Sequence, residues 1–191
     1  MLQALSSFWF NPEGCSFPNQ EKGEKIVLLL RPHLVTLVPP FVLVVLLFLL
    51  PPVSFFVLAI LGIEISQIIP ARFIGFTVLA YYLFLFGFSF LRFLIWYFNI
   101  FLVTNERVID FDFHRFLHKE ISDCMLSKIQ DVTSQMIGPT HTFFNYGHVL
   151  IQTAAETPVF EFQNVPHPDL VVKEISKQIR LEEAEPPGVV A

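Results

Sequence analysis

With 191 residues the chain is long enough for one domain of ordinary size together with a membrane anchor. Hydrophobic residues make up 53% against 15% charged, and the net charge is −5, so the balance argues against a nucleic-acid binder. The two cysteines, Cys15 and Cys124, form no CxxC or Cys/His pattern, so neither a metal site nor a structural disulfide is expected.

The first residues, "MLQALSSFWFNPEG", have no basic stretch followed by a sustained apolar run, so they do not read as a signal peptide. From His33 to Tyr97 the only charged residues are Glu64, Arg72 and Arg92, and beyond Asn99 charge returns at ordinary density. That profile is a membrane segment followed by a soluble domain. The first apolar run, His33 to Ile63, is interrupted by Pro39-Pro40 and Pro51-Pro52, each of which removes helix hydrogen bonds. It reads as a kinked span over about residues 33–50. Residues 53–69 are left open among a continuation of that span, an interfacial piece and a third span, although a Pro-Pro turn is short for reversing two helices. The second run, 73–97, spans with tilt, ends on Trp96 and Tyr97, and places Arg92 where it can snorkel to the same interface. Gly75 and Gly87 lie in it without forming GxxxG. Lys22, Lys25 and Arg31 precede the pair of spans, and Arg107, Arg115 and Lys119 follow it. The positive-inside rule therefore places both termini and the soluble domain in the cytoplasm of a multi-pass cell-membrane protein.

The soluble part begins with hardly a linker. "NIFLVT" is β-prone, "TNER" supplies a turn, and "RVIDFDFH" alternates strictly. Ile109, Phe111 and Phe113 are expected on the buried face, and Val108, Asp110, Asp112 and His114 on the outer one. Further strands are expected in "KEISDCML", "IQDVTSQM", "GHVLIQTA" and "TPVFEFQNV", with a turn and aromatics in "IGPTHTFFNYG". "PHPDLVVKEISKQIRLEE" then changes to helical period, with Val171, Val172, Ile175 and Ile179 on one stripe. The polar end, 182–191, reads as a disordered tail.

In order and spacing, "GEKIVLLLRPH", the apolar hairpin, "FLVTNERVI" and "NYGHVLIQT" together resemble the bacterial pleckstrin-homology membrane proteins of the YdbS-like type. The resemblance implies an α+β membrane protein. A two-helix transmembrane hairpin would be followed by a PH-like antiparallel β-barrel or sandwich capped by a C-terminal helix. The expected division is 1–32 as a cytoplasmic N-terminal segment, 33–97 as the hairpin, 98–181 as the PH-like domain and 182–191 as the tail. The resemblance brings no catalytic residues with it.

No catalytic, cofactor-binding or metal site is expected. Asp110, Asp112 and His114 share a strand face, but a solvated outer face accounts for them. His114, His118 and Glu120 fall where a loop is expected. No GxSxG, HExxH, Walker A or GxGxxG pattern occurs. Headgroup capture needs clustered cations, whereas 98–181 holds seven basic residues against ten acidic ones. Phe143, Phe144 and Tyr146 read chiefly as core and loop packing, with a contact site as the alternative. The remaining reading is a non-enzymatic module that scaffolds or oligomerises at the cytoplasmic face, in contact with the bilayer and with a protein partner or second copy. A sensor of lipid headgroup or small ligand is the alternative.

Overall fold

The protein is described by a computed structural model covering residues 6–12, 14–63, 69–114, 118–153 and 159–184, without the side chains of 113, 114, 118–120 and 159. The chain divides into two compact units: Met1–Thr36 together with Ile95–Ala191, and Leu37–Leu94.

In the first unit a five-stranded sheet has the order β1 (Phe8–Phe10), β2 (Ile26–Leu30), β3 (Ile100–Thr104), β4 (Arg107–His114), β5 (His118–Met125). A three-stranded sheet follows, β6 (Ile129–Gln135), β7 (Tyr146–Thr153) and β8 (Val159–Pro166). Every pairing is antiparallel. A short helix α3 (Pro139–Phe144) joins β6 to β7, and the C-terminal helix α4 spans Pro168–Ala184. Val171 and Ile175 of α4 are fully buried, and Val172 and Ile179 pack against the same core, as the helical stripe predicts. The strands expected after β4 are all present. Two features were not expected. Residues 8–10 and 26–30, read as part of a segment ahead of the anchor, pair into the first sheet, with Leu29 opposite Leu102 and Leu30 opposite Phe101. His114 and His118, expected in a loop, instead end β4 and begin β5 and pair with each other.

The core lies between the sheets. Leu28, Leu30, Val103 and Val108 from one sheet meet Val149, Ile151, Phe162 and Val165 from the other, and the Phe101 and Phe162 rings stack at 4.7 Å. The strict alternation of β4 is correct and Ile109 is buried as expected, but the strand is covered on both faces rather than one. Val108 points into this core, whereas Ile109 and Phe111 lie in a second cluster with Ile26, Leu102, Cys15 and Phe17. Alternation separates two faces without saying which is inside. Here the N-terminal segment covers the face that carries Ile109.

The second unit is built on α1 (Val38–Ile60), preceded by a 3-10 turn at Leu34–Leu37, and on α2 (Ala71–Phe98), whose last turn belongs to the first unit. Both helices are long and apolar enough to cross a membrane, and hardly any of their residues is fully buried. Pro39 and Pro40 fall in the first turn of α1, where a missing N–H leaves nothing unpaired. The helix closes at Gly62, which takes φ 71°. Its N–H donates to the Ala59 carbonyl, and that of Ile63 donates to Leu58.

Of the alternatives left open beyond Pro51 and Pro52, the structure takes the helical continuation: α1 runs through both prolines to Ile60. Their missing donors would have served the carbonyls of Leu47 and Phe48, four residues earlier. Those two carbonyls accept instead from α2: the Tyr81 hydroxyl donates to Leu47 O at 2.7 Å, and the Tyr82 hydroxyl to Phe48 O at 3.2 Å. Adjacent tyrosines thus replace adjacent amides. Gly75 and Gly87 have open space where a Cβ would lie, so close backbone approach is not what pairs the helices.

Replacing both tyrosines by Phe should cost about 1–3 kcal/mol of helix-pair stability, because interhelical hydrogen bonds in apolar surroundings contribute roughly 0.6–1.7 kcal/mol each. In a Pro51→Ala, Pro52→Ala background the backbone amides return, and the same pair of changes should cost close to nothing. Thermal unfolding in detergent provides the comparison. An equal loss in both backgrounds would contradict this assignment.

Candidate functional site

The first strand turn, where a PH-like domain would be expected to receive an anionic ligand, carries one cation, and that cation is already engaged. Thr104 closes β3 and Arg107 opens β4, with Asn105 and Glu106 between them. The Thr104 hydroxyl oxygen accepts from the Arg107 amide at 2.9 Å, which shapes the turn. Glu24, just ahead of β2, reaches the turn with its side chain fully buried. Its Oε1 accepts from the Thr104 hydroxyl at 2.9 Å and from Arg107 Nε at 3.0 Å. Its Oε2 accepts from Arg107 Nη2 at 3.0 Å and from the Glu21 amide at 3.0 Å. Four donors therefore occupy one carboxylate. Arg107 also donates to Asp123 Oδ2 at 3.3 Å and to the Asn19 carbonyl at 2.7 Å. Asn105 adds a reciprocal pair, its Oδ1 accepting from the Lys25 amide at 2.6 Å and its own amide donating to the Lys25 carbonyl at 3.2 Å. "GEK" and "TNER", about eighty residues apart, are the two halves of one clasp.

Burial alone would raise the Glu24 carboxyl, but the Arg107 guanidinium, the Glu21 amide and the Thr104 hydroxyl outweigh it and hold the group below its usual value. Hydrogen bonding to Glu24 in turn raises Arg107 further. Glu106, beside the clasp, is pushed up by burial and by the nearby Glu24 and Glu21 charges.

A second constellation lies at the first unit's covalent exits. Trp96 Nε1 donates to the Pro32 carbonyl at 2.8 Å, and the Arg31 guanidinium sits 4.5 Å from the Tyr97 ring centre. The His33 ring stacks on Tyr146 at 5.3 Å, and Tyr146 stacks in turn on His141 of α3 at 4.3 Å. Asn145 ends α3 in the left-handed region, φ 51°, and its side-chain amide meets His167 Nδ1 at 2.8 Å. His148 Nδ1 lies 2.8 Å from Glu161. Gly147 is required here: a Cβ would sit 2.5 Å from the Gln135 carbonyl oxygen. The "NYG" sequence thus supplies a helix stop, a stacking ring and a close backbone crossing.

The aromatic group read as packing divides in two. Tyr146 is buried, but Phe143 is 83% exposed and Phe144 46%, and Ile137, just before α3, is 68% exposed. Asp110 and Asp112 are half-buried on the Val108 face of β4, so the solvated outer face expected for them is not what the fold provides. The side chains of His114, His118 and Glu120 lie outside the described residues. Among the described residues no group of three His, Cys, Asp or Glu is arranged to hold a metal ion. Cys15 and Cys124 are free thiols, and burial pushes Cys124 up. Sequence reasoning missed the Glu24–Arg107 pair because neither motif shows its partner. A lone Glu before an apolar strand and an Arg in a polar turn were the available signal.

Breaking the clasp from either side should destabilise the domain. Arg107→Ala leaves Glu24 buried without its counter-charge and should cost about 3–5 kcal/mol. Glu24→Gln should cost less, because Arg107 keeps Asp123 and partial solvent access. Since Glu24 is held below its ordinary value, its contribution is complete above about pH 4.3 and is lost as pH falls below that. Thermal melts of the wild type from pH 7 to pH 3 should show this acid-side loss, and Glu24→Gln should reduce it. An unchanged pH profile in the variant would refute the assignment.

The Bacterial PH domain family model matches residues 34–179. No curated protein matches. Among solved structures, the chain is similar to a DUF1696 family protein with a pleckstrin-homology domain from Shewanella loihica PV-4. The identity is 19%, the match covers 44% of this chain and 68% of that one, and the TM-score is 0.31. With the family match running through both apolar helices, β3 to β8 and most of α4, the chain belongs to the bacterial PH domain family.

Proposed function

We propose that the protein is a non-enzymatic module, anchored in the cell membrane by α1 and α2, that holds a protein partner or a second copy of itself at the cytoplasmic face. The observation that carries this reading is the apolar projection around α3. Ile137, Phe143 and Phe144 stand exposed together around one short helix, whereas Phe101 and Phe162 are buried in the core. Contiguous exposed apolar surface on a folded domain marks a contact with a protein or a membrane. Family membership adds a coarser support, since it brings no catalytic motif. The headgroup-sensing alternative loses its natural ligand group, because Arg107 is bound by Glu24, Asp123 and the Asn19 carbonyl.

A photoreactive phenylalanine analogue at position 143 should give a defined adduct, homodimeric or with one partner, in native membranes. The same analogue at Phe162, in the core, should give none. Diffuse labelling from position 143 would count against the reading.

The orientation rests on the flanking lysines and arginines. In a Cys15→Ser, Cys124→Ser background, a cysteine at Ser66 should react with an impermeant maleimide in intact cells. One at Glu183 should react only after lysis. Labelling of Glu183→Cys in intact cells would overturn the cytoplasmic placement.

A further inference from the structure

Within the apolar helix pair, Pro40, Phe41 and Val44 of α1 and Phe88, Ser89 and Arg92 of α2 line a cavity of about 130 Å³. On each helix the lining positions recur at three- or four-residue spacing, so one stripe of each faces the cavity. All but two of these six side chains are hydrocarbon. Ser89 carries a hydroxyl, and Arg92 carries the only formal charge.

The charge of Arg92 is unanswered within the pair. Neither α1 nor α2 contains an acidic residue, and the guanidinium rests 5.4 Å from the Phe88 ring centre. Arg92 lies six residues before the end of α2, about 9 Å along the axis, with Trp96 and Tyr97 between. Such aromatics mark the headgroup layer, and a guanidinium one to two turns deeper reaches it by extending. A cation there, above an apolar wall, is matched by a ligand that presents a phosphate next to hydrocarbon chains.

We propose that this cavity binds an anionic phospholipid, with its phosphate on Arg92 and Ser89 and an acyl chain along Pro40, Phe41 and Val44. A net anion is specified because a zwitterionic lipid brings its own ammonium to its phosphate and leaves Arg92 uncompensated. The inference rests on the reading that α1 and α2 enter the bilayer.

The test uses the full chain in detergent with phosphatidylglycerol and phosphatidylcholine of identical acyl chains, and counts retained lipids by native mass spectrometry. Phosphatidylglycerol should be retained about five- to tenfold more strongly, a preference of roughly 1 kcal/mol or slightly more. Arg92→Gln should abolish the preference and Arg92→Lys should keep most of it. Arg72→Gln, at the opposite end of α2, should leave it unchanged. Equal retention of the two lipids, or a preference that survives Arg92→Gln, would overturn the site. Carbonate extraction of the wild-type protein from vesicles separates the two failures. Release would remove the membrane reading itself, whereas a resistant protein without lipid preference would remove only this site.

Discussion

The pairing of β2 with β3 is the constraint on which the rest of the structure depends. These strands are antiparallel neighbours in one sheet, with Leu30 opposite Phe101, yet the whole apolar stretch lies between them in sequence. The two helices are therefore the connection between adjacent strands. Antiparallel neighbours lie about 4.8 Å apart, so whatever leaves after β2 must return to nearly the same place. The Trp96–Pro32 hydrogen bond and the Arg31–Tyr97 contact pin the two exits together.

Two further interactions follow from the cost of leaving polar groups unmet. In the helix pair, proline removes two donors and leaves the Leu47 and Phe48 carbonyls to find others. Tyr81 and Tyr82 answer them, which also fixes how the helices align along their length. In the domain, the buried Glu24 carboxylate would be costly alone. Four donors converge on it and tie the segment ahead of β2 to the turn after β3. A buried ion pair of this kind contributes little net stability compared with apolar packing, but it defines where the N-terminal segment must lie.

Much of this was legible in the sequence. The apolar runs, the alternation of β4, the strands from β5 to β8 and the stripe of α4 each follow from a local period. What the sequence hid was non-local. Phe8–Phe10 is too short, and Ile26–Leu30 too near an apolar helix, to be announced as a strand. Without them nothing shows that β4 is covered twice, Val108 by the second sheet and Ile109 with Phe111 by the N-terminal segment. Pro51-Pro52 left the course of the chain beyond them open because the remedy, two hydroxyls on another helix, lies about thirty residues away. Phe143 read as core because aromatics mostly are, and only the placement of α3 exposes it.

The shared sheet is the claim most directly open to measurement, by hydrogen exchange on the full-length protein reconstituted in lipid nanodiscs. If β2 is an interior strand of the five-stranded sheet, the amides of Ile26–Leu30 should exchange slowly and open together with those of Phe101–Thr104. Rapid exchange over Ile26–Leu30, with β4 and β7 still protected, would mean that the N-terminal segment lies outside the domain and that the helices are not inserted between paired strands.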